Sequence, residues 1–80
     1  MEIEIREVEI RGFEEKVSQK NERYIAIYFE EKSGRAHTVY SRNLNVLKGI
    51  IRGSIVDIKC KLQLGKYTNL EAIEIAELVA

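Results

Sequence analysis

The chain has 80 residues, in which 13 lysines and arginines balance 13 aspartates and glutamates, so it carries no formal net charge at pH 7. A chain this short buries only about 60% of its unfolded surface, so we expect one domain, residues 1–80, that gains stability by self-association. A neutral chain gives no general reason to expect nucleic acid as a partner, and the absence of a long apolar run argues against a membrane-spanning helix.

The side chains of the sequence do not predict an enzyme. One histidine, His37, and one cysteine, Cys60, cannot form a spaced metal cluster, and the glycines are isolated rather than grouped in a phosphate-binding loop. We therefore expect no catalytic activity, no metal and no cofactor. The acidic start of the chain, Met1–Ile5, is unlike a secretory signal, and Cys60 is best explained as a small buried hydrophobe in a reducing compartment, so we expect a cytoplasmic protein.

The first predicted strand has an apolar pattern that changes phase. Ile3 and Ile5 share one face, whereas Ile10 falls on the other. A β-bulge or a strong bend at residues 6–7 would explain the slip. The polar segment 14–23 predicts the end of this strand followed by a mobile loop.

Two strands and a short connection follow. Tyr24–Phe29 alternates between two faces, Lys32–Arg35 predicts a tight turn, and Ala36–Ser41 predicts a third strand. The segment Asn43–Gly49 begins with a capping residue and ends with a glycine, which predicts either a short helix or a loop.

The last part of the chain, residues 53–75, predicts a β-hairpin. Its first strand alternates, its turn is Gly65–Asn69, and its second strand is Leu70–Ile75. The predicted core face of the first strand consists of Val56, Ile58, Cys60, Leu62 and Leu64.

Five strands with a connection after the third predict an all-β protein with the OB-fold, a five-stranded Greek-key barrel with a short helix or loop between strands 3 and 4. The alternative is an open meander whose second layer comes from a partner chain. Ile50, Ile51 and the apolar hairpin face suggest more apolar surface than one barrel hides, which predicts a homodimer through the hairpin Ser54–Ile75.

Charge is distributed unevenly along the chain. Residues 1–15 carry six glutamates, residues 67–80 carry three glutamates and no base, and residues 32–66 carry eight lysines and arginines against Asp57 alone. The basic block would create a local positive field. Alternatively, strand pairing places the acidic ends beside the basic block, because opposite charges often pair across strands.

The tyrosines are the strongest candidates for binding. Tyr24 and Tyr28 share one face of the second strand, about 13 Å apart, and the other face supplies the core. Rings surrounded by cations suit single-stranded nucleic acid, because bases stack on rings and cations follow the phosphates. The same rings could instead cover a sheet face or an oligomer interface. The predicted nucleic-acid-binding residues are Lys16, Lys20, Arg23, Tyr24, Tyr28, Tyr40, Lys59, Lys61, Lys66 and Tyr67.

The hairpin resembles that of the filamentous-phage single-stranded DNA-binding proteins, which are small OB-fold homodimers. The likeness lies in a strand opened by Gly53, in the apolar-Gly-polar-aromatic order of residues 64–67, and in a polar, basic loop that runs into Tyr24. The resemblance implies that Tyr24 stacks on a base and that Tyr67 reaches DNA held by the other subunit. It also implies a homodimer that coats single-stranded DNA without sequence readout during DNA replication.

Two other functions stay open at this point. A neutral chain with a pI of about 6.6 also fits a protein-interaction module in which the tyrosine and glutamate faces meet a partner. RNA would use the same stacking face as DNA. If the hairpin tip stacks on a base, Tyr67→Ala is expected to weaken single-strand binding by about 1–3 kcal/mol, with little effect on stability.

Overall fold

The computed structural model describes residues 1–64 and 69–78, and these form five β-strands. The strands are β1 (Glu2–Val17), β2 (Arg23–Glu30), β3 (Ala36–Ser41), β4 (Ile55–Gln63) and β5 (Asn69–Glu77). Their order along the chain is the predicted one. β1 extends further than predicted, to Val17, because its second half pairs with β2 as far as Arg23.

The strands close into a barrel in the order β1-β2-β3-β5-β4. All neighbours are antiparallel except β3 and β5, whose parallel contact has the single register pair Tyr40 and Glu71. The hydroxyl of the buried Ser41 strengthens this closure by donating a hydrogen bond to the carbonyl oxygen of Ala72 at 2.6 Å. A closed five-stranded Greek-key barrel is the OB-fold, so the predicted fold class is confirmed and the open meander is wrong.

The phase change in β1 is a β-bulge, as predicted. The register between β1 and β4 shifts between Ile5 and Val8, and Glu7 has a positive φ of 52°. The Glu7 N–H donates to the Asp57 side chain at 2.9 Å, which holds this unusual backbone in place. The bend lets the first half of β1 pair with β4 and the second half pair with β2, as barrel closure requires.

The inner faces of the strands fill the barrel with apolar side chains. Val56, Ile58 and Cys60 of β4 are fully buried, which confirms the predicted alternation and the prediction that Cys60 is a core residue. Burial raises the pKa of the Cys60 thiol. Leu64 is 73% exposed, contrary to the prediction, because β4 ends at Gln63 and the alternation ends with it.

The connection between β3 and β4 is a loop of turns, and not the short helix that was the other possibility. Asn43 accepts a hydrogen bond from the Asn45 N–H at 3.0 Å, and Gly49 adopts a positive φ of 79°. Three side chains of this loop are buried against the core: Val46, Leu47 and Ile50. No helix long and apolar enough to cross a membrane occurs in residues 1–64 and 69–78.

The apolar side chains expected to exceed what one barrel hides divide between the core and the surface. The core buries Ile50 and most of the hairpin face on β4, whereas Leu64 of the same face is exposed. Ile51 is also exposed, at 70%. Any second chain must therefore contact apolar side chains that lie outside the barrel's core.

Candidate nucleic-acid interface

Three tyrosines lie on the outer surface of β2 and β3, and we call Tyr24, Tyr28 and Tyr40 the tyrosine face. The register of the two strands places Tyr40 opposite Ala26, between the other two tyrosines. The rings of Tyr24 and Tyr40 meet edge to face, with centroids 5.7 Å apart and an interplanar angle of 69°. Ala26 is fully buried although its phase is that of the outer surface, which indicates that neighbouring rings cover it.

Lys16 supplies a cation to the tyrosine face from β1, directly opposite Tyr24 in the strand register. The Tyr28 phenol oxygen raises the pKa of Lys16 most, followed by the Glu14 carboxylate. A lysine is protonated at neutral pH without any such shift, so Lys16 supplies a positive charge beside Tyr24. The Tyr28 hydroxyl also donates a hydrogen bond to Glu14 at 3.4 Å, which steadies this ring.

A cleft of about 510 Å³ opens beside Tyr24 and Tyr40, between the β1–β2 loop, the end of β3 and the neighbouring ends of β4 and β5. It brings together Arg23, Tyr24 and Tyr40 from the predicted set. The residues that line it are Ser18, Glu22, Arg23, Tyr24, Thr38, Tyr40, Ser41, Arg42, Gln63, Asn69, Leu70 and Glu71.

Arg42 is a cleft residue that the prediction missed. It lies one residue beyond the end of β3 at Ser41 and lines the cleft together with Tyr40. The available signal was a cation two residues after a candidate tyrosine. Among the described residues, Arg42 has no side-chain ion pair, whereas Arg23 lies 3.6 Å from Glu15. The Arg23–Glu15 pair is exposed and contributes little, about 0–1 kcal/mol, so it does not prevent Arg23 from contacting a ligand.

The structure does not bring Lys59 to the tyrosine face, and it separates Lys61 from Tyr40 by the strand β5, where Glu71 lies between them. In the β4 register, Lys59 lies opposite Glu4 and Glu74, and its amine is 3.6 Å from the Glu74 carboxylate. Lys61 likewise has a glutamate opposite it on each neighbouring strand. Strand pairing thus places glutamates from both ends of the chain beside the lysines of β4. On this strand, the predicted pairing of the acidic ends with the basic block is confirmed.

Two predicted cations, Lys20 and Lys66, remain to be placed. Lys20 is exposed in the loop between β1 and β2, close in sequence to the cleft residues Ser18 and Glu22. Lys66 and Tyr67 lie outside the described residues, so their assignment stays a prediction. Near the other end of the tyrosine face, hydrogen bonding to Glu9 and then the charge of Glu30 raise the pKa of Arg11 and offset its positive charge.

Removing the charge of Lys16 is expected to reduce nucleic-acid affinity and to flatten its dependence on salt by about one released counterion. Lys59→Gln makes the same charge change on the outer face of β4, which we call the β4 wall. We expect this variant to keep nearly the wild-type affinity and salt dependence. Titrations of each variant with a labelled single-stranded oligonucleotide at several salt concentrations give both quantities. Equal losses for the two variants would show that only overall charge matters.

Comparison with known proteins finds a match in structure only. No protein-family model matches the chain, and no curated protein matches it. Three structures of the mitochondrial single-stranded DNA-binding protein Rim1 from S. cerevisiae are similar to it. The first has a TM-score of 0.73 at 18% identity, with 98% of this chain and 93% of that chain covered.

The other two Rim1 structures show a similar degree of structural similarity. The second has a TM-score of 0.72 at 19% identity and covers 98% of this chain and 95% of that chain. The third has a TM-score of 0.66 at 19% identity and covers 96% and 92%. At identities this low, the structural similarity shows a shared fold.

Proposed function

We propose that this protein binds single-stranded DNA and coats it without reading an extended sequence. The observation that carries the proposal is the tyrosine face beside an open cleft, with Lys16, Arg23 and Arg42 around the rings. The similarity in fold to Rim1, a mitochondrial single-stranded DNA-binding protein, supports the same function.

Stacking is the first part of the mechanism. Tyr40 is 49% exposed, and Tyr24 and Tyr28 are half-buried, so each ring combines a fixed position with accessible surface. Bases in a single strand have free faces that stack on such rings, and each stacked base contributes about 1–3 kcal/mol. In a duplex the same faces are covered by neighbouring base pairs. The tyrosine face should therefore prefer single strands.

Backbone contacts are the second part. Lys16 lies on one side of Tyr24, and Arg42 lies at the end of β3 on the other side of the cleft. A strand whose bases stack on the rings can then place phosphates near both cations. Such contacts carry no sequence information, but they set the position of the strand and make affinity fall as salt rises.

The direct test is a titration of a fluorescent oligo-dT and of a duplex of equal length at low salt. We expect clear preference for the single strand, and an affinity that falls as salt is added. Equal binding to both, or no binding to either, would contradict the proposal. An oligo-U of the same length distinguishes RNA from DNA as the preferred strand.

We further propose that the protein is a homodimer that uses exposed side chains of the β4–β5 region. Ile55, Leu64 and Ile73 are apolar and 42%, 73% and 39% exposed, which leaves apolar surface for a second copy. Light scattering at high micromolar concentration is expected to give about twice the chain mass of 9.3 kDa. A mass equal to that of one chain would contradict this.

The proposal extends to the biological setting. A protein that coats single strands suits DNA replication, and the lone, buried Cys60 suits the reducing cytoplasm. The likeness to the filamentous-phage family stays a prediction, because most of its best-matched turn, residues 65–68, lies outside the described residues.

A further inference from the structure

Glu71 brings a carboxylate into the cleft that is proposed to bind a polyanion. It lies opposite Tyr40 in the only register pair between β3 and β5, and its side chain lines the cleft. The backbone N–H of Arg42 donates a hydrogen bond to Glu71 Oε2 at 3.2 Å, which holds the carboxylate beside the ring. On its other side Glu71 lies opposite Lys61 of β4 in the strand register, but no cation among residues 1–64 and 69–78 comes within ion-pair distance of its carboxylate.

A carboxylate in this position restricts what part of a strand can lie next to it. The carboxylate repels phosphates. A nucleic-acid strand that crosses the cleft must therefore turn its bases toward Glu71 and its phosphates toward Arg42 and Arg23. An ionised carboxylate only accepts hydrogen bonds. The base that stacks nearest Tyr40 is therefore favoured when its edge offers donors.

The four bases differ in this respect. Cytosine, adenine and guanine carry exocyclic amino groups, whereas thymine and uracil place carbonyl oxygens on both sides of a single N–H. A carboxylate accepts hydrogen bonds from an amino group and is repelled by a carbonyl oxygen. Gln63 and Asn69, which face each other across β4 and β5 and line the cleft, add amide donors that suit the remaining acceptors of such a base.

Building on the proposed function, we infer that Glu71 is a specificity-determining residue that makes the cleft favour amino-bearing bases over thymine and uracil. A second carboxylate, Glu22, also lines the cleft, but it lies in the loop between β1 and β2, whereas Glu71 lies directly opposite Tyr40 in the strand register. The base nearest Tyr40 is therefore the one on which Glu71 is expected to act.

The test compares oligo-dC with oligo-dU of equal length, because these bases differ only in the groups at positions 3 and 4 of the ring. At mildly alkaline pH, where cytosine is unprotonated, the wild-type protein should bind oligo-dC at least about fivefold more tightly. In Glu71→Gln this ratio should fall to about twofold or less, because an amide offers a donor as well as an acceptor. The amide oxygen can still accept the Arg42 N–H, so the local structure is kept.

Glu74→Gln is the matched control. It removes the same charge from the same strand, but Glu74 lies against Lys59 on the β4 wall and does not line the cleft. This variant should keep the wild-type ratio, even if its affinity for both oligonucleotides rises slightly.

Three results would overturn the inference. Equal binding of oligo-dC and oligo-dU by the wild type would remove the preference while leaving single-strand binding intact. A Glu71→Gln variant that binds both more tightly with an unchanged ratio would show that Glu71 acts only through overall charge. No binding of any single strand would contradict the proposed function itself, and the inference with it.

Discussion

Replacing Tyr40 with alanine is expected to weaken binding of single-stranded DNA by about 1–3 kcal/mol, the contribution of one stacked base. Tyr24→Ala should have an effect of similar size. The double variant should lose roughly 2–6 kcal/mol if the two rings stack on separate bases, and less if they contact the same base. The rings meet edge to face, so a double-mutant cycle measures how far they act as one unit.

Stability must be measured alongside binding in these variants. An aromatic pair of this kind contributes about 0.5–1.5 kcal/mol to folding, so Tyr24→Ala will lower the stability as well as the affinity. Tyr40→Phe is the control, because it keeps the ring and removes only the hydroxyl, and we expect nearly wild-type affinity. If Tyr40→Ala binds normally and only its stability falls, the ring is a structural cover of the sheet, and if only self-association is lost, the ring belongs to an oligomer interface.

Replacing Ile27 with alanine is expected to destabilise the protein by about 2–5 kcal/mol, because the substitution removes buried methyl groups and leaves a cavity. Ile27 is fully buried on β2, on the inner side of the strand that carries Tyr24 and Tyr28. Natural domains have a total stability of about 5–15 kcal/mol, so this one change removes a large part of it. Denaturant unfolding, followed by circular dichroism, gives the difference.

Ile51→Ala is the matched control, since Ile51 is 70% exposed. We expect a change within about 0.5 kcal/mol. A large cost at Ile51 would show that this side chain is buried in an assembly of two or more chains. A negligible cost at Ile27 would contradict the packing of the barrel.

The sequence alone predicted most of the barrel because its signals are local. Alternation placed Val56, Ile58 and Cys60 on one face of β4, and the phase change in β1 located the bulge that lets the strand bend around the barrel. The period of two also placed Tyr24 and Tyr28 together. Each of these features depends on residues that are close in the chain, so no knowledge of the partner strands was needed.

The misassigned or missed site residues depend on contacts that are distant in sequence. Lys59 looked available because its neutralising partners, Glu4 and Glu74, lie on other strands. Glu71 became a cleft residue only through the parallel contact of β3 with β5, which no local pattern indicates. The charge of a strand face therefore follows from strand order, and strand order is the part of the fold that local periodicity defines least.

In the proposed complex, single-stranded DNA lies across the tyrosine face and the adjoining cleft. Heteronuclear NMR of the labelled protein, titrated with oligo-dT, tests this placement most directly, because every backbone amide reports its own environment. We expect the largest shifts at Lys16, Tyr24, Tyr40 and Arg42, and small ones around Lys59 on β4. Shifts centred on the β4 wall, or no shifts at a saturating concentration of DNA, would contradict this placement.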